Sequence, residues 1–73
     1  MDKKTLWEIL TQKQKDIICE FCECDMSIVG TARSLKLSEA TIKSQLESIK
    51  KKTGLNPKCF YDLVELRDLL LGE

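Results

Sequence analysis

Two stretches of this chain hold residue types able to do chemistry: the thiols of "CEFCEC" at 19–24 and the cations of "IKKKTG" at 49–54. Cys19, Cys22 and Cys24, with Cys59 further along, invite a zinc reading, since paired thiolates are zinc ligands. The local pattern argues against it. The segment reads as continuous helix, on which 19 and 22 share a face and 24 points elsewhere. There is no histidine and no second C-x-x-C. Cys22 and Cys59 are therefore expected to act as small buried hydrophobes, ahead of metal binding or redox sensing. The expectation is no metal and no cofactor.

A catalytic constellation is equally hard to assemble. The chain has no histidine and no glycine-rich phosphate loop, and its acidic residues scatter over helical faces. It is not expected to be an enzyme.

The lysine cluster asks a different question. The whole chain has zero formal net charge, but the charges are sorted along it. From Arg33 to Lys58 seven Lys/Arg face two Glu, a local balance of +5; residues 1–32 carry −2 and residues 59–73 carry −3. Phosphate neutralisation needs such a local cluster, not a global surplus. The competing explanation is that lysines at a helix end complement its dipole.

The elements that must position these cations are helical. With 73 residues, three glycines and one proline, the chain has room for one domain and little turn chemistry for a β fold. No stretch approaches the roughly 20 apolar residues of a membrane span, and no signal peptide is legible, so a soluble cytoplasmic protein with reduced thiols is expected. Asp2–Leu10 predicts a short amphipathic helix with Trp7 beside its apolar side. Thr11 and Gln14 form a T-x-x-Q capping box, opening a helix to about Cys24 that buries Ile17, Ile18, Phe21 and Cys22. Ser27 caps a brief helix over 28–35, with Ile28, Ala32 and Leu35 inward. Ser38 caps the next, to about 53, stapled by Leu37 and Ile42 and anchored on Ile42, Leu46 and Ile49. Gly54 supplies its left-handed end. Asn56 as cap and Pro57 at the first helical position predict a last helix over 57–71, with Leu55 stapled onto Phe60. The fold class is all-α: a helix-turn-helix bundle of four to five short helices.

The helix pair over 28–53, joined by a short turn and with the small Ala32 where the second helix crosses, is a helix-turn-helix pattern. Its second helix would present Glu39, Ala40, Lys43, Ser44, Glu47 and Lys50, a face suited to a DNA major groove. Lys43, Lys50, Lys51, Lys52 and Lys58 are candidate phosphate contacts, and Ser44 and Gln45 candidate readers of base edges. Arg33, Lys36, Ser38 and Thr41 complete the candidate DNA-contacting set.

"TARSL" at 31–35, Leu37, "TI" at 41–42 and "IKKKTGLNPKCFYDLVEL" at 49–66 resemble the C-terminal DNA-binding domain of PucR-type bacterial transcription regulators. "SEATIKSQLESI" at 38–49 is also similar to the LuxR-type helix-turn-helix. Both resemblances imply a compact bundle that binds double-stranded DNA. The PucR-type pattern has His-Arg-Asn-Thr where this chain has Ser38, Glu39, Ala40 and Thr41.

A stand-alone regulator without a small-molecule effector domain is thus the leading expectation. A surplus of apolar residues on the last helix leaves two expectations: that it packs with the N-terminal helix to finish the core, or that it forms a homodimer with Leu66, Leu69, Leu70 and Trp7 as the candidate interface. Glu39 and Glu47, with no arginine on the second helix, motivate the rival: a protein-interaction module on the same scaffold.

Overall fold

The computed structural model describes residues 8–70 in full and the backbone of Leu71. The described residues form four helices and no strand: α1 (Gln12–Glu23), α2 (Ile28–Leu35), α3 (Glu39–Thr53) and α4 (Phe60–Leu71). Of the predicted N-terminal helix, Glu8 and Ile9 are helical and Leu10 is buried; the remainder, Trp7 included, lies outside the described residues.

The capping residues do what their types dictate. Thr11 Oγ1 accepts from the Gln14 backbone N–H at 3.1 Å, and Gln14 Oε1 accepts from the Thr11 N–H at 3.2 Å, closing the predicted box. Ser27 Oγ accepts from Gly30 N–H, and Ser38 Oγ from Thr41 N–H. Gly54, at φ 77°, ends α3 in the left-handed region and donates its N–H to Lys50 O.

Two further corners use left-handed residues that carry side chains. After α1, Asp25 (φ 53°) donates to Cys22 O and Met26 (φ 63°) to Phe21 O; after α2, Lys36 (φ 58°) donates to Arg33 O and Leu37 to Ala32 O. These are Schellman closures in which the last free carbonyls of each helix find donors. Gly30 serves close approach instead. A Cβ there would meet Cys24 Cβ and Ser27 Oγ at 3.3 Å, so a side chain at this position would require those neighbours to give by a few tenths of an ångström.

One core holds the bundle. Ile17, Ile18, Ile42, Leu46, Ile49, Leu63 and Leu66 are at most 1% exposed, and Phe21, Ala32, Leu10 and Leu70 are buried with them. α1 lies at the centre, in contact with α2, α3 and α4, while α2 also packs on α3. On α2 the inward positions are Thr31 and Ala32, with Ile28 and Leu35 half-buried; Thr31 Oγ1 meets its buried requirement by donating to Ser27 O at 2.7 Å.

The last helix starts later than predicted. Asn56 Oδ1 accepts from the Lys58 N–H, two residues on, and Asn56 O accepts from Cys59 N–H, so residues 56–59 form a turn. Pro57 is fully buried in that turn, and Asp62 reaches back from the first turn of α4 to accept the Asn56 N–H at 3.0 Å. Asn56 therefore caps a turn, and Pro57 acts as a core residue. The helix begins at Phe60 itself, so Phe60 does not occupy the position inside the helix that the Leu55–Phe60 staple required, and its side chain is 62% exposed. Among the described residues no helix is long and apolar enough to cross a membrane.

Candidate nucleic-acid interface

α3 is held by one face and open on the other. Ile42, Leu46 and Ile49 recur at helical spacing and are buried, so Glu39, Ala40, Lys43, Ser44, Glu47, Lys50 and Lys51 are turned outward and exposed. Arg33, in the last turn of α2, and Lys36, in the corner that leads toward α3, are exposed as well. No hydrogen bond or ion pair occupies the side chains of Arg33, Lys36, Lys43, Lys50 or Lys51 among the described residues. Five unengaged cations on and beside one uncovered helix face can each neutralise a phosphate.

The sign of the charge varies along that face. Lys43 stands between Glu39 and Glu47 at four-residue spacing, so the stretch 39–47 of α3 is mixed in sign with an acidic excess of one. The positive charge gathers at Lys50 and Lys51, and again at Arg33 and Lys36. The arrangement suits backbone contacts at the edges and a centre that combines donors and acceptors.

Several predicted contacts take other roles. Gln45 is half-buried and turned toward α1, its Oε1 accepting from Gln14 Nε2 at 3.1 Å. Lys52 donates its ammonium to Gln14 Oε1 at 3.0 Å. Both thereby take part in the contact between α1 and α3, while Lys52 stays exposed. Ser38 and Thr41 serve the cap of α3, their hydroxyls 2.8 Å apart. Lys58 is exposed, but in the turn before α4 and not on α3. Ser44 remains open.

The residue that organises these contacts is Gln14, only 3% exposed. Its amide is saturated. Nε2 donates to Gln45 Oε1 and to Ser48 Oγ, both at 3.1 Å, and Oε1 accepts from Thr11 N–H and Lys52 Nζ. One side chain thus joins the start of α1 to three positions spaced along the inner flank of α3. The sequence held a signal for it: Gln14 falls on the stripe of Ile17, Ile18 and Phe21, where a polar residue must find partners.

Two predicted dimer contacts move into the core. Leu66 and Leu70 are 0% and 4% exposed within a single chain, because α4 turns them onto α1, and Leu69 is half-buried. The apolar surface left over lies elsewhere on α4, at Phe60 and Tyr61.

The thiols lie apart from α3. All four cysteines are free and half-buried, and no group of three or more Cys, Asp or Glu is placed to hold a metal among the described residues. Burial pushes the thiols of Cys19 and Cys22 above their ordinary range. Cys24 is raised as well, by desolvation and then by Glu20, whose carboxylate accepts its S–H at 3.7 Å. Thiols held protonated are poor nucleophiles. Compared with known protein families, curated proteins and solved structures, the chain matches none.

Proposed function

We propose that this chain is a DNA-binding helix-turn-helix protein of the bacterial transcription-regulator type, which lays the outer face of α3 in the major groove. One observation carries the reading: α3 is anchored through Ile42, Leu46 and Ile49 while its other face stays uncovered, with Lys43, Lys50 and Lys51 unengaged and Arg33 and Lys36 exposed in the segment before it. Lys50, Lys51, Arg33 and Lys36 contact phosphates in this reading, and Lys43 and Ser44 face the base edges. The resemblance of 31–35, 41–42 and 49–66 to PucR-type domains supports the same assignment.

Fluorescence anisotropy on labelled duplexes across a salt series tests it. With about four phosphates neutralised, log K should fall against log salt with a slope of about −3 to −4. The Lys43→Glu/Lys50→Glu double variant should abolish binding with the fold intact. Absence of salt-dependent binding to any duplex, including a pool of genomic fragments, would overturn the proposal. Glu39 and Glu47 flanking Lys43 favour a second reading, in which the same face meets a protein; a stoichiometric protein complex that α3 charge reversal dissolves would establish it.

A further inference from the structure

The first turns of α4 leave two aromatic side chains uncovered. Phe60 is 62% and Tyr61 82% exposed, their rings edge to face at 5.9 Å between centroids. Beside them runs an open groove of about 290 Å³ between α4 and the left-handed turn after α1, lined by Cys22, Met26, Phe60, Leu63 and Val64, with Asp25 and Arg67. That volume is at the lower limit of small-molecule clefts, roughly 300–1,000 Å³, and suits a side chain better than a metabolite. Neither Asp25 nor Arg67 has an ion-pair partner among the described residues.

A recess of side-chain size, one charge of each sign without an ion-pair partner, and Phe60 of the projecting aromatic pair therefore lie together, with Tyr61 packed edge to face on Phe60. Those are the requirements of an isologous contact, in which the same patch must serve as both knob and hole. We infer that this face pairs with a second copy of the chain about a twofold axis. Tyr61 of each copy enters the groove of the other, and Arg67 of each faces Asp25 of the other. With one aromatic anchor and one ion pair from each copy, the association is weak, with a Kd on the order of 10–100 µM.

Sedimentation equilibrium from about 5 µM to about 1 mM, without DNA, tests this independently of the DNA-binding proposal. The apparent mass should climb from 8.4 kDa toward twice that value. Tyr61→Ser, at a solvent-exposed position, should weaken association at least about tenfold with an unchanged circular dichroism spectrum. Asp25→Lys and Arg67→Glu should each weaken it, and the double variant should restore it, because every ion pair is re-formed with its sign reversed. Lysine at 25 is compatible with the backbone, as Lys36 already occupies the left-handed region. A wild-type mass that stays at the monomer value throughout would overturn the inference. So would association indifferent to Tyr61→Ser, or a double variant no better than the single ones.

Discussion

Replacing Gln14 by methionine removes an amide and keeps the shape, which isolates the polar contact between α1 and α3. Four hydrogen bonds end on that amide, at 3.0–3.2 Å, in a side chain 3% exposed. At about 0.5–1.5 kcal/mol net for each bond, less what Lys52, Ser48 and Gln45 recover from water at the surface, the loss comes to about 2–3 kcal/mol. A domain of this length is stable by about 4–11 kcal/mol at about 0.05–0.15 kcal/mol per residue, so the variant gives up a large share. Its Tm should drop by about 10–20 °C, at about 4–8 °C per kcal/mol. Gln14→Glu is the discriminating companion. A carboxylate still accepts from Thr11 N–H and Lys52, the Ser48 hydroxyl can rotate to donate, and Gln45 can present its NH2 group, so its cost should stay below about 1 kcal/mol. Urea titrations of both variants, followed by helical circular dichroism, provide the measurement. A Gln14→Met protein within about 0.5 kcal/mol of the parent would refute the reasoning, because the amide would then be a bystander between two helices held by their apolar faces alone.

Two backbone predictions and one of pH follow. Lys36→Gly should raise stability by about 0.5–1 kcal/mol, since an L side chain at φ 58° is strained, and Gly54→Ala should lower it by about 1 kcal/mol although the new Cβ meets nothing within 4 Å; urea midpoints moving the opposite way would refute both. The thiols make stability fall as pH rises above about 8.5. Cys19, Cys22 and Cys24 are raised in the folded chain chiefly by desolvation, so the unfolded chain loses those protons first and is favoured from there upward. A urea midpoint lower at pH 9.5 than at pH 7.5, with the difference reduced in a Cys19→Ala/Cys22→Ala variant, is the expected result.

Much of the fold was legible because it is written in local chemistry. The Thr11 box, the Ser27 and Ser38 caps, and Gly54 as terminator all act within a few residues of themselves, and the stripe of Ile42, Leu46 and Ile49 needs only the helical period. Asn56-Pro57 misled because the same residues can open a helix or close a turn. What decides between them is whether Pro57 is buried, and burial is a tertiary fact. The outer face of α3 followed from knowing its inner one. Gln45 and Lys52 did not, because their long side chains reach past the helix margin to Gln14, more than thirty residues away in sequence. Leu66 and Leu70 illustrate the same limit. A helix rich in leucine announces that something will be covered, but whether a neighbouring helix or another molecule covers it depends on how α4 meets α1.

The corners at Asp25, Met26 and Lys36 reverse the usual relation between exposure and tolerance. Surface positions ordinarily accept almost any residue, and Asp25 and Lys36 are solvent-exposed. Their left-handed torsions nonetheless exclude valine, isoleucine and threonine, whose branched Cβ cannot adopt them cheaply. In a saturation library the sharpest depletion of β-branched residues outside the interior should therefore fall at these bends, where the chain's direction depends on a torsion that no neighbouring side chain can supply.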